Sequence, residues 1–337
     1  MSVGSKGVRS DLVSTPGDRP WLVALLAIPA AFVVVVALVG NTSQLYFWTT
    51  VAETVLFALS VNLLFGQTGM LSFGQAAYFG IGAYTVGLLA SRQVNPLAML
   101  ALGSLTGGLA AALIGAVTLR TTALVFAMLT LAFGQALYSI TFHLQAVGGE
   151  NGIVGIVPAG IGGIDVGQPR VLWVFTAIVV SIGSCILWMV SRSPFGRALR
   201  MIRDDATRAE MLGIPVFRYR LAAFVLSGAM AGLAGGLYAF VQGVASPDSL
   251  FWTTSGEPVI ISLLGGARFF YGPVLGSVIY VAATDTLSQM TPAWIFWIGL
   301  GFLIVVLLSP DGILGGVRRL WLRYGTHIPE VGRRRTP

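Results

Sequence analysis

Charge is what this sequence has least of. Only 10% of its 337 residues are Asp, Glu, Lys or Arg, while 55% are hydrophobic. Soluble domains carry about a quarter charged residues, so lipid rather than water is the solvent for most of this chain. Lysine is almost missing: Lys6, in a polar leader, stands alone. A P-loop needs a lysine after a glycine-rich turn to reach the nucleotide phosphates, so the chain is not its own P-loop ATPase. Histidine is limited to His143 and His327, far apart and outside any His-Glu-x-x-His run, which removes the metalloprotease signature. No Gly-x-Ser-x-Gly elbow occurs either, so the sequence argues against an intramembrane enzyme. The single cysteine, Cys185, lies in an apolar run, forms no internal disulfide, and reads as a structural thiol. The net charge of +7 does not mark a nucleic-acid binder, because the basic residues fill gaps between apolar runs instead of lining one face.

What is present is a succession of apolar segments, each near the roughly 20 residues that one membrane crossing needs. Trp21 to Val39 comes first, behind a leader carrying Lys6, Arg9 and Arg19; it is too long for a signal-peptide core and reads as a retained helix. Phe47 to Phe65, Leu71 to Ala90, Pro96 to Leu119, Thr122 to Phe142 and Val171 to Val190 follow. An arginine island from Ser191 to Arg220 then holds Arg192, Arg197, Arg200, Arg203, Arg208, Arg218 and Arg220, interspersed with Asp204, Asp205 and Glu210. The acids predict a folded, salt-bridged element instead of a polybasic lipid tether. Beyond it lie Leu221 to Val244, a broken segment from Leu250 to Gly265, Pro273 to Gln289 and Pro292 to Leu308. The expected fold is all-α, a polytopic bundle of about 8–10 helices with broken or re-entrant segments.

Crossing parity tests this reading. Arginines and lysines collect on the cytoplasmic side, and an even number of crossings in each half puts the leader, the island and the basic C-terminus there together. Arg120 falls on that side, and in the first half Arg92 falls outside. The expected organisation is a cytoplasmic leader at 1–20, a single membrane domain at 21–310 with a cytoplasmic loop at 192–220, and a basic tail at 311–337. Leu144 to Arg170 becomes the largest external loop.

Small residues recur at helical spacing. Ser72, Ala76 and Gly80 form one stripe; Gly228, Gly232 and Gly236 form two GxxxG steps, and Gly272 with Gly276 a third. Close helix packing is the consequence. Polar residues within the spans need partners or a water-lined cavity. Glu53, Ser60 and Gln67 share a face, and Gln67 and Gln75 bracket an expected helix break at Gly66, Thr68 and Gly69. Glu257 beside Pro258 is expected to break the segment after Leu250, and Asp285 reads as a second buried acid. Each is either a pathway residue or an interhelical hydrogen bond. Leu71 to Tyr78 (LSFGQAAY) is echoed at Leu131 to Tyr138 (LAFGQALY), an echo of the sort duplicated transporter elements leave.

Several passages together resemble one family. NLLFGQTGMLSFGQAAYFGIGAYT (Asn62 to Thr85), VGGENGIVGIVP (Val147 to Pro158), SPFGRALRMIRDDATRAEMLGIP (Ser193 to Pro215), AFVLSGAMAGLAGGLYA (Ala223 to Ala239) and LLGGARFFYGPVLGS (Leu263 to Ser277) look like permease subunits of branched-chain amino-acid ABC importers of the LivM type. SPDGILG (Ser309 to Gly315) matches their usual ending. Arg268, Phe269 and Phe270 stand where small residues are commoner, and Asp204–Asp205 where a Glu-Asn pair is.

The resemblance implies a bacterial inner-membrane subunit with both termini cytoplasmic, working with a second permease, two cytoplasmic ATPases and an extracytoplasmic substrate-binding protein. The chain would bind no cofactor; ATP and Mg would be used by the ATPases. DATRAEMLG (Asp205 to Gly213) resembles the coupling helix that inserts into the ATPase. The implied coupling residues are Arg203, Asp204, Asp205, Ala206, Arg208, Ala209, Glu210, Leu212 and Gly213, with Arg203 and Arg208 outward and Ala206, Ala209 and Leu212 docking. Gly213 would stop the helix. The translocation-pathway candidates are Gln67, Ser72, Phe73, Gln75, Tyr78, Gly80, Glu257, Gly265 and Gly266. Leucine-like substrates suit such a path, and relatives of the same family that carry urea, amides or aromatic acids remain open. The competing class is an ion-coupled transporter with Glu53, Glu257 and Asp285 as its relay.

Overall fold

Helix α2, Thr42–Thr68, is the axis around which the other helices are arranged. The computed structural model describes residues 33–308 except 93, 161 and 164, together with 312–316. The leader, most of the expected first span and nearly all of the basic tail lie outside the described residues; of that span, 33–39 are helical and are called α1. Gln44 caps the start of α2 by accepting the Asn41 N–H at 3.1 Å. Gly69, at φ 71°, ends it in the left-handed conformation that a side chain would resist.

The chain continues through α3 (Gln75–Ala90), α4 (Pro96–Thr118), α5 (Ala123–His143) and α6 (Pro169–Arg192). Two short helices follow, α7 (Pro194–Asp204) and α8 (Ala206–Met211), and then α9 (Val216–Gln242). A 3-10 turn at Pro247–Leu250 precedes α10 (Trp252–Gly265), α11 (Gly272–Met290) and α12 (Trp294–Leu308). The only strands among the described residues, β1 (Ile153–Val154) and β2 (Val244–Ala245), pair antiparallel with Ile153 opposite Ala245.

Among the described residues five helices, α2, α4, α5, α6 and α9, are long and apolar enough to cross a membrane. The chain is an all-α, multi-pass membrane protein. Helix α3, at 16 residues, spans only about 24 Å at 1.5 Å per residue, short of a hydrocarbon core about 30 Å thick. Burial sorts the long helices. The most apolar window is 78% buried in α2 and 67% in α9, but 17% in α5, so α2 and α9 are central and α5 is peripheral. Exposed Leu124, Met128 and Ile140 on α5 are what a lipid-facing helix carries, since lipid tails solvate leucine as well as protein does.

Helices α3, α4 and α9 meet along a seam of glycines. A Cβ at Gly82 would land on the backbone of Gly232, one at Gly232 on the Gly103 carbonyl, and one at Gly235 on the Phe79 carbonyl. The GxxxG steps of α9 are therefore contact positions: a methyl at Gly232 would press on the α4 backbone, one at Gly228 on Ala111, and one at Gly236 on the side chains of Leu100 and Val86. Tyr78 closes the seam, fully buried and edge-on to Phe224 with ring centroids 5.6 Å apart. Ser227 ties α9 to α2, its hydroxyl donating to the Ser60 carbonyl at 2.7 Å.

Four expectations change here. The stripe Ser72–Ala76–Gly80 is not one helix face, because α3 begins only at Gln75; Ser72 belongs to the preceding loop, where its hydroxyl accepts the Gly74 N–H. Gly80 instead makes room for Leu250. The break after Leu250 falls at extended Phe251, and Glu257–Pro258 lie inside a continuous α10. Pro258 lies in the helix interior, where it removes one i→i−4 hydrogen bond without ending α10. Asp285 is exposed, not buried. The FGQA echo spans a loop and helix start in one copy and the interior of α5 in the other, so it is not a repeated fold element. The copies do touch: the Phe73 N–H donates to Thr130 Oγ1 at 3.3 Å.

Candidate functional site

Two constellations lie at opposite ends of α2. The first is built by α7, α8 and the turn into α9. Pro194 starts α7 and Ser193 caps it, its hydroxyl accepting the Gly196 N–H at 3.2 Å. Gly196, Ala198, Leu199 and Ile202 are buried while Arg192 and Arg197 are exposed, so α7 lies as an amphipathic helix against the bundle. Arg200 donates from Nη1 to Gln67 Oε1 at 2.8 Å and to the Ser191 carbonyl at 2.9 Å. Arg203 donates to the Gly66 carbonyl. Both guanidinium groups thus sit on the last turn of α2, where unpaired carbonyls and the negative end of the helix dipole favour cations. The arginine island is latched to the C-terminus of the central helix.

Helix α8 hangs from this latch. Asp205 caps it, accepting the Arg208 N–H at 3.0 Å and pairing with the Arg208 guanidinium at 3.6 Å. Gly213, at φ 80°, turns the chain back so that the Ile214 N–H reaches the Ala209 carbonyl at 3.1 Å. The expected faces are partly reversed. Ala209 is buried at 1% exposure in a small cluster with Ile202 and Val216, with Ala206 packed beside it, so neither alanine is a free docking face. Arg203 points inward to α2 instead of outward. Asp204, Arg208, Glu210, Met211 and Leu212 are exposed, Met211 at 81% and Leu212 at 65%. The physical reason is that the short α8 buries its small side to fix itself and leaves its tip uncovered.

The second constellation is a half-open cavity of about 860 Å³ at the far end, lined by the first half of α2, Phe79 of α3, the ends of α9 and α11, the 3-10 turn and α10. Glu53, Glu257 and Asp285, which the sequence offers as a relay, all line it, joined by Asp248. Its wall also carries Tyr46, Tyr238 and Tyr280 and the rings of Phe47, Phe57 and Phe79. Tyr46 donates to Gln242 Oε1 at 2.6 Å, bridging α2 to the end of α9. Among the described residues no lysine, arginine or histidine lines the cavity. Glu53 is 5% exposed and its Oε2 has no hydrogen-bond partner. Among the described residues no three His, Cys, Asp or Glu side chains converge well enough to hold a metal ion.

Of the nine pathway candidates, Glu257 alone lines this cavity. Gln67 serves the arginine latch. Gln75 is fully buried, its Oε1 accepting from Ser227 at 3.3 Å, and Tyr78 is packed in the glycine seam. Ser72, Phe73 and Gly80 hold the α3 approach together. Gly265 packs on the Gly272 backbone, and Gly266, at φ 112°, lies against Gly312, both at the latch end. Glycine-rich motifs in this chain thus mark helix contacts. The cavity's acids, tyrosines and threonines come from four distant segments, which no local motif announces; only the seven-residue spacing from Glu53 to Gln67 hinted at one shared face.

A multi-pass helix bundle with a folded basic hairpin at one end and an acid-lined cavity at the other is the architecture of a membrane transport subunit. The chain belongs to the family of permease components of branched-chain amino-acid transport systems, whose members match residues 43–308. It is 26% identical, over 89% of its own length and 76% of the relative's, to the high-affinity branched-chain amino acid transport system permease protein LivM of Salmonella typhimurium. It is equally similar to LivM of Escherichia coli. It is also 27% identical, over 77% of this chain and 88% of the relative, to the probable branched-chain amino acid transport permease protein LivH of Methanocaldococcus jannaschii. No solved structure matches the chain significantly. The chain is a transport permease component.

Proposed function

We propose that this chain is a transmembrane subunit of an ATP-driven ABC importer for branched-chain or related amino acids, receiving substrate from an extracytoplasmic binding protein and releasing it to the cytoplasm by alternating access. A second permease of the same type completes the pathway. Two cytoplasmic ATPases bind and hydrolyse ATP with Mg, and this chain holds no cofactor of its own. The observation that carries the reading is the latch: a hairpin with an exposed tip at Met211 and Leu212 is fastened by Arg200 and Arg203 to the end of α2, and α2 runs on to the cavity.

The geometry suits transmission. Glu53 and Gln67 are 14 residues apart on one continuous helix, about 21 Å along its axis and nearly on one face. A push on α8 reaches the cavity through a single rigid body, which is the contiguous element that coupling between distant sites uses. The positive-inside rule places the arginine end in the cytoplasm, so the cavity faces outward, where a binding protein delivers. The inner membrane of a bacterium is the location this implies. DATRAEMLG is then the coupling helix, with Asp204, Arg208, Glu210, Met211 and Leu212 presented to the ATPase.

Carriage of urea, amides or aromatic acids by the same machinery is the alternative within the family. An ion-coupled transporter is favoured by one observation, the convergence of Glu53, Glu257 and Asp285 on one cavity. Purification of the tagged chain from its own membranes in mild detergent separates the ABC importer from the ion-coupled transporter. The expected result is recovery of a second permease and an ATPase; a chain recovered alone or only with copies of itself would contradict the reading.

A further inference from the structure

The carboxyl of Glu53 is the most unusual group in the bundle. It lines the outer cavity at 5% exposure, and its Oε2 finds no donor in the protein. An acid left unpaired at membrane depth costs several kcal/mol, so its retention there points to a donor that comes and goes. The neighbourhood is acidic, with Asp248, Glu257 and Asp285 around the same space and no cationic side chain among the described residues. A metal ion does not fit, because no three of the acids among the described residues converge to coordinate one. The volume of about 860 Å³ is that of a site for an organic molecule.

The wall beside Glu53 is apolar. Phe57 stands one helical turn away and packs on Phe79 with ring centroids 4.5 Å apart; Ile261 and Val281 continue the surface. The space therefore offers an unpaired carboxyl group next to an aromatic and aliphatic wall. We infer that this cavity is a transit site for a primary ammonium group carrying an apolar side chain, with Glu53 as its counter-charge and the Phe57–Phe79 surface as the seat of the side chain. Hydroxyls such as Thr50 and Thr54 line the rest, but no cation is there for a substrate carboxylate. The ammonium, not the carboxylate, is the recognised end. That the occupant is in transit rests on the permease reading; that it binds does not.

The test is titration calorimetry on the purified full-length chain, with its copurifying subunits, in lipid nanodiscs. The probes are isoamylamine, L-leucine and 4-methylpentanoate. Isoamylamine and leucine are expected to bind and 4-methylpentanoate is not. Glu53→Gln is expected to weaken isoamylamine about 10- to 100-fold, as for loss of a charge-assisted hydrogen bond. Glu257→Gln, at an exposed mouth position, is the second variant should Glu53→Gln not fold, and is expected to weaken isoamylamine about tenfold. Equal binding of 4-methylpentanoate, or unchanged isoamylamine affinity in whichever of the two variants folds, would overturn the inference. ATP-driven leucine uptake alongside unchanged affinity in Glu53→Gln would sink this inference and leave the permease reading standing. Glu53-dependent amine binding in an assembly without ATP-driven uptake would do the reverse.

Discussion

Gly82→Ala is expected to destabilise the bundle by roughly 1–3 kcal/mol, the usual range of what overpacking costs. The added methyl meets the backbone of Gly232, not the end of a flexible side chain, so relief requires α3 and α9 to separate. Separation would also open the contacts of Gly103 and Gly107 on α4, which share the seam. Gly299→Ala in α12 is the matched control: nothing lies within 4 Å of that site, and alanine improves helix propensity by about 1 kcal/mol. Thermal inactivation in detergent, read as monodisperse protein surviving a temperature ramp, checks the pair. Equal midpoints would show that the seam is not close-packed.

The second large effect concerns the latch. Arg200→Ala with Arg203→Ala removes the donors to Gln67, Ser191 and Gly66 while leaving the exposed tip of α8 in place. The expected outcome is a complex that keeps its ATPases and continues to hydrolyse ATP, with uptake per ATP reduced by roughly 5- to 150-fold, the usual range of a coupling free energy. Met211→Asp with Leu212→Asp should act differently. These side chains are exposed, so folding is unaffected and the ATPases themselves are lost from the purified complex. ATP hydrolysis and leucine uptake measured on the same reconstituted preparations distinguish the two. Normal coupling in the double arginine variant would remove α2 from the transmission path.

Most helix bounds were legible because hydrophobic length is a strong signal in a membrane protein. Pro96 to Leu119 and Thr122 to Phe142 match α4 and α5 within a residue at each end. Break positions were less legible. Gly69 was flagged by its glycine neighbours, but the break at Phe251 arises from the way the 3-10 turn packs under α3, which is a tertiary effect, and Glu257–Pro258 drew attention to the wrong place. The orientation of side chains was the least legible. Arg203 and Arg208 look alike in sequence, yet one reaches the end of α2 and the other is exposed beside its own cap. That difference depends on where α7 lies against α2. Gln75 and Tyr78 look like pathway groups by polarity, and the seam absorbs both.

Glu53 shows the converse. Its spacing to Ser60 and Gln67 suggested one polar face, and the structure splits that face by depth: Glu53 opens to the cavity, Ser60 bonds across to α9, and Gln67 holds the latch. One helix thus carries a contact to each region that the proposed transport cycle involves.

Leucine uptake into proteoliposomes tests the central claim most directly. Vesicles containing this permease, its partner permease and the ATPases, supplied with the binding protein outside and ATP inside, are predicted to accumulate labelled leucine and to continue doing so when an uncoupler collapses the ion gradients. Accumulation without ATPase subunits that vanishes on adding the uncoupler would contradict the account and identify the acid-lined cavity as an ion relay.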